Sequence, residues 1–133
     1  MQEFRNQIEL ARTTGEAYGV AALLAEDVIF RSPVVHAPYE GRAAVEPLLH
    51  AVVRVFDEFH FTRQIGAPDG SDHALVFRAR IGEREVEGCD FLHTNDDGLI
   101  DEFHVMVRPL SGAMALAEAM KHQLARAESD TAA

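Results

Sequence analysis

Tryptophan is absent from this 133-residue chain, cysteine occurs once and tyrosine twice. With Cys89 alone, neither an intrachain disulfide nor a cysteine-based zinc site can form. A single cysteine in a strand reads first as a small buried hydrophobe. No apolar run is long enough to span a bilayer. The start Met1-Gln2-Glu3-Phe4-Arg5 lacks the basic and apolar stretches of a secretion signal. A cytoplasmic location is therefore the expectation. Basic residues are scarce as well, 12 against 22 acidic, for a formal net charge of -10. Arg78, Arg80 and Arg84 interleave with Glu83, Glu85 and Glu87, so no basic stripe exists, and neither nucleic acid nor an anionic membrane is an expected partner. A phosphate loop, a dinucleotide fingerprint, a His-Glu-x-x-His motif and a Ser-His-Asp order are all missing. Asp96-Asp97 lies in a turn without the other ligands of a calcium loop. No cofactor and no metal are expected.

What is present fits one globular domain. Hydrophobic residues make up 47% of the chain, too many for disorder and enough for a core. Residues 1–127 read as that domain and 128–133 as a disordered tail. Phe4, Ile8 and Ala11 predict a helix over residues 3–13, and Val20, Leu23 and Leu24 a short second one over 16–25. Asp27 to Ser32 reads as a strand that Pro33 ends. The loop from Pro33 to Gly41 is apolar for a loop, so it is expected to pack over something. Val45, Leu48, Leu49, Val52 and Phe56 mark a helix from Arg42 to Glu58. Four strands follow, over 59–67, 72–81, 84–94 and 99–108, with Asn95-Asp96-Asp97-Gly98 as a hairpin turn. Ser111 is the expected N-cap of a last helix, Gly112 to Ala127, whose buried stripe is Ala113, Ala117, Met120 and Leu124. Helices first and strands later define an α+β fold.

One residue stands out in the third of those strands. Side chains alternate along a strand, so Val86, Gly88, Asp90 and Leu92 share a face. Asp90 is the lone carboxylate on an otherwise apolar face. Burying it without a partner raises its pKa; pairing it marks a structural role.

The order of elements resembles the nuclear-transport-factor-2-like superfamily, in its SnoaL-like polyketide cyclase and ketosteroid isomerase branch. The resemblance spans Phe4 to Leu124. It rests on Leu23-Leu24-Ala25-Glu26-Asp27-Val28, on Ser32-Pro33-Val34 leading to Gly41, and on Val86-Glu87-Gly88-Cys89-Asp90 leading to Gly98-Leu99-Ile100. It implies a cone: a curved antiparallel sheet wrapped around N-terminal helices (a cystatin-like roll), with a C-terminal helix and a hollow inside. Such a fold hosts many functions, so the site has to decide.

In ketosteroid isomerases of this kind, a carboxylate removes the proton, while a tyrosine and a protonated aspartic acid hold the oxyanion. Asp90 matches the protonated acid. Ser32 stands at the base position and Ile8 at the tyrosine position. Epoxide-hydrolase-like members use an Asp-Arg-Asp set, where this chain has Val105 in place of the second acid and Gly88 in place of the arginine. Polyketide cyclases use an acid on the last strand, whose inward residues here are Phe103, Val105 and Val107.

The expected hollow is lined by Leu75, Phe77, Ala79, Asp90, Leu92, Phe103, Val105 and Val107, with His36, Tyr39 and Phe56 at its mouth. A single acid there suits general acid or base work on an apolar carbonyl or hydroxyl compound, with His36 or Tyr39 assisting. The alternatives are a carrier module in which Asp90 only recognises the ligand, a dimeric adaptor, and an Asp90 held structurally by a backbone N–H, Tyr39 or His36. The opposite sheet face carries Arg78, Arg80, Glu87, Phe91, Glu102, His104, Met106 and also Ile100. Its ion pairs and its exposed Phe91 and Met106 predict a homodimer through this surface.

Overall fold

A computed structural model describes residues 1–132 and the side chains of residues 1–127. The elements run α1 (Gln2–Thr14), α2 (Tyr18–Ala21), β1 (Leu24–Arg31), β2 (Tyr39–Glu40), α3 (Arg42–Val52), β3 (Asp57–Ile65), β4 (Asp72–Ile81), β5 (Arg84–Thr94), β6 (Ile100–Arg108) and α4 (Leu110–Ala132). This is the expected α+β, cystatin-like architecture, a six-stranded curved open sheet with helices against its inner side. The strand order is β2-β1-β6-β5-β4-β3. All neighbours are antiparallel except β1 and β6, which run parallel.

Period-two patterning sets the sheet faces. Along β4, His73, Leu75, Phe77, Ala79 and Ile81 are buried; along β5, Val86, Gly88, Asp90 and Leu92 are. The two strands pair without a register break, with Leu75 opposite Asp90 and Phe77 opposite Gly88. Two apolar clusters lie inside the curve. One gathers Phe4, Val20, Leu24, Val45, Leu75, Leu92 and Phe103; the other gathers Val55, Phe77, Ala79, Val86 and Leu116. Each fully buried side chain of this size contributes roughly 1.5–3 kcal/mol relative to exposure.

Several boundaries differ from the sequence reading, each for a visible reason. The second helix shrinks to Tyr18–Ala21 because Leu24 joins the sheet opposite Ile100, and the Ile100 N–H donates to the Leu23 carbonyl at 2.9 Å. The long helix stops at Val52 instead of Glu58. Arg54 and Val55 donate to Ala51 and Val52, a tightened last turn in a run of β-branched valines. Ile100 faces the core, only 2% exposed, because the register shifts between His93 and Thr94. That irregularity reverses the simple alternation. The last helix starts at Leu110. The Pro109 carbonyl accepts the Ala113 N–H at 3.0 Å, so Pro109 occupies the cap position and Ser111 lies in the first turn. The inward side of α4 is Gly112, Leu116, Met120 and Leu124; Met120 and Leu124 belong to the expected stripe, whereas Gly112 and Leu116 replace Ala113 as its buried start. A Cβ on Gly112 would lie 2.5 Å from Val86 Cγ1, so glycine is what lets α4 approach β5. The α4 backbone continues past Ala127. Through Ala132 it is helical where a tail was expected; the side chains of 128–132 and all of residue 133 lie outside the described residues.

Candidate active-site cavity

Between the inner sheet face and the four helices lies a cavity of about 410 Å³, within the ~300–1,000 Å³ typical of small-molecule sites. α1 contributes Ile8 and Arg12; α3 contributes Leu48, Leu49 and Val52; α4 contributes Leu116, Met120, Lys121 and Leu124. The sheet supplies Phe30, Phe59, Phe77, Asp90, Phe103 and Val105, and the segment Ser32-Pro33-Val34-Val35 covers one side. That answers why this loop is apolar. The Ser32 hydroxyl accepts the N–H groups of Val34 at 3.3 Å and Val35 at 2.9 Å, which fixes the loop's turn.

Aromatic rings make up much of the wall. Phe59 stacks on Phe77 at 4.8 Å, and Phe56 meets both edge-on or tilted at 5.5 and 5.7 Å. Phe103 packs edge-on against Phe4 and Phe30 at 5.7 and 5.2 Å. Gly88 makes room for this arrangement. A Cβ there would run into the Phe77 ring and lie 2.8 Å from the Met106 carbonyl oxygen.

Asp90 is 6% exposed and faces this cavity. Among the described residues its carboxyl makes no hydrogen bond and no ion pair. A buried carboxylate with no partner favours its neutral form. Burial alone pushes the Asp90 carboxyl from 3.8 up to about 7. Its neighbours across the sheet, Leu75 and Val105, are apolar. A structural tether to Tyr39, His36 or a backbone N–H is therefore not what holds it. Burial also raises the Cys89 thiol, with the adjacent Asp90 adding to the effect, so Cys89 is a poor nucleophile at neutral pH.

Of the residues expected at the site, Asp90, Tyr39, Phe56, Phe77, Phe103 and Val105 line the cavity together. His36 does not. It is exposed, two residues beyond the covering segment's Val34, and makes no contact with Asp90. Leu75 and Leu92 are buried in the first apolar cluster and are not on the cavity wall. Ala79 and Val107 pack in the second cluster, toward Ile81 and Val86. The sheet curves, so only its middle rungs bound the void. Tyr39 packs on Phe30 at 6.3 Å, and its hydroxyl has no hydrogen-bond partner among the described residues. Ile8 and Ser32, the positions matched to the isomerase tyrosine and base, both line the same cavity as Asp90. Among the described residues, no group of three His, Cys, Asp or Glu side chains could hold a metal ion, and no helix is long and apolar enough to cross a membrane.

Arg12 was missed. It lies one turn beyond Ile8 on α1, so a cation on the apolar stripe was visible in the spacing. Its Nη1 donates to the Phe59 carbonyl at 2.7 Å, and its guanidinium sits 5.7 Å from the Phe59 ring centroid. Leu116 was missed for a different reason: the alanines of α4 masked its true face.

A curved sheet closed by helices around an apolar hollow with one buried acid defines a class of small α+β pocket folds. The SnoaL-like domain model matches residues 4–103, and this chain belongs to that family. A steroid delta-isomerase from Pseudomonas aeruginosa is similar at 40% identity and a TM-score of 0.86, with 95% of this chain and 92% of that one covered. An uncharacterised cystatin-like protein from Silicibacter pomeroyi is 35% identical, with a TM-score of 0.79 over 92% of this chain and 87% of that one. SalBIII, an epoxide hydrolase/cyclase-like enzyme of pyran ring formation in salinomycin, shares the fold at 18% identity, a TM-score of 0.65 and coverage of 84% and 92%. No curated protein sequence matches the chain.

Proposed function

We propose that this chain binds a small apolar molecule in its cavity and donates a hydrogen bond from protonated Asp90 to a carbonyl or hydroxyl oxygen of that molecule. The observation that supports this is the buried Asp90 carboxyl, without a partner among the described residues, on the wall of an apolar void. A neutral acid in such a site is a strong donor, and water is excluded from competing with it. Polarising a carbonyl acidifies the neighbouring C–H bonds. The cavity thus provides the acid half of a cofactor-independent isomerase, cyclase or dehydratase reaction. The 40% identical relative, a steroid delta-isomerase, points the same way.

The base half has no carboxylate in the cavity lining. Ser32 is committed to its loop, and Ile8 has no proton to give. That observation favours a second reading, a carrier that recognises its ligand through Asp90 and performs no chemistry. The same reading takes the chain as a homodimer through the outer sheet face. Phe91 and Met106 there are 41% and 51% exposed, amid ion pairs of Glu87 with Arg78 and Arg108.

Binding of a neutral steroidal enone, measured by calorimetry across pH, tests the donor. Affinity should hold steady below pH 7 and fall about tenfold for each pH unit above it. Asp90→Asn should flatten that profile and abolish any turnover. Unchanged binding, pH profile and turnover in Asp90→Asn would sink the reading. Turnover of the enone by the native protein separates enzyme from carrier.

A further inference from the structure

The cavity has two polar poles. Asp90 is one. Arg12 and Lys121 are the other charged side chains on its wall. Neither cation has a carboxylate partner among the described residues. Arg54, Arg78, Arg80 and Arg108 pair with glutamates on the surface; among the described arginines without such a pair, Arg12 is the one on the cavity wall. Arg12 is also only partly exposed, and its Nε is buried with no hydrogen-bond partner. Leaving a charged group half-desolvated without a counter-ion is costly. Its single hydrogen bond to the Phe59 carbonyl and its place beside the Phe59 ring fix the guanidinium without neutralising it. A cation held in this way is pre-organised for an anion. Asp90 does not supply that anion: it forms no ion pair, and no cation acts on its titration. The two poles are therefore separate sites on one apolar chamber.

We infer that Arg12 anchors the anionic end of the ligand, so that the cavity takes an apolar carboxylic acid carrying a second oxygen function that reaches Asp90. Lys121, exposed on α4, steers the carboxylate into the chamber. This would allow a protein of net charge -10 to capture an anion through local cations. A carboxylate suits the site better than a phosphate, whose three charged oxygens demand more donors than this largely apolar wall provides. The inference rests on the cavity being a ligand site, as proposed above, and adds the ligand's charge.

The test compares pyrenebutyric acid with its methyl ester, by fluorescence titration of the full chain. The native protein should bind the acid about tenfold more tightly than the ester. Arg12→Met should erase that preference, so that acid and ester bind alike. Arg12→Lys should keep part of it, and Lys121→Met should slow association of the acid alone. Equal affinities for acid and ester in the native protein, or a preference that survives in Arg12→Met, would overturn the inference. The native comparison stands even if Arg12→Met fails to fold. Ester that binds without any acid preference defeats only the role of Arg12. If neither probe binds, the ligand-site reading falls and this inference with it.

Discussion

Phe77 lies across the Cα of its cross-strand partner Gly88, and a Cβ at 88 would occupy the space its ring fills. The ring in turn stacks on Phe59 and meets Phe56, so the missing side chain at 88 positions the aromatic wall of the cavity.

Replacing Gly88 with Ala should therefore displace Phe77. Overpacking of this kind costs about 1–3 kcal/mol. Urea denaturation should show that loss, and ligand affinity should fall because Phe59 and Phe56 follow the ring. A variant as stable as the native protein would mean that the ring moves aside freely.

Asp90 makes stability depend on pH in a defined direction. Its folded pKa is raised to about 7 from 3.8. The folded state therefore holds a proton that the unfolded chain releases. The stabilisation is fully present below about pH 4 and is lost as pH rises through 7. The span from 3.8 to about 7, at 1.36 kcal/mol per pH unit, amounts to about 4 kcal/mol. Asp90→Asn removes the ionisation. Its stability relative to the native protein should improve by about that amount between pH 4 and pH 8. A difference that stays flat with pH would remove the buried, unpartnered carboxyl from the account.

The framework was legible because strand periodicity is local. The limits of β4 and β5 followed from the turn residues around them, Gly82-Glu83 and Asn95 to Gly98 among them, and the inward face of Asp90 from alternation. The misplaced residues needed tertiary information. Ile100 turns inward at a register shift that no period predicts. Leu75 and Leu92 point inward but do not reach the void, because which rungs of a curved sheet bound a cavity depends on where the helices sit. His36 belongs to a loop whose covering part stops at Val35. Arg12 was readable from its spacing after Ile8, but its lack of a counter-ion emerges only in three dimensions.

The outer face gives a third prediction. Met106→Glu and Phe91→Glu place charge at side chains that are half-exposed and apolar. If the homodimer forms there, either change should shift the native dimer to monomer in light scattering at micromolar concentration, with the fold intact by circular dichroism. A native chain that is already monomeric would contradict the dimer.

The most direct measurement is a carbon-13 NMR titration of the Asp90 carboxyl, alone and with a saturating neutral enone. The free protein should show a midpoint near 7, and a higher one when the ligand accepts the proton's hydrogen bond. A midpoint near 3.8, unmoved by the enone, would contradict it.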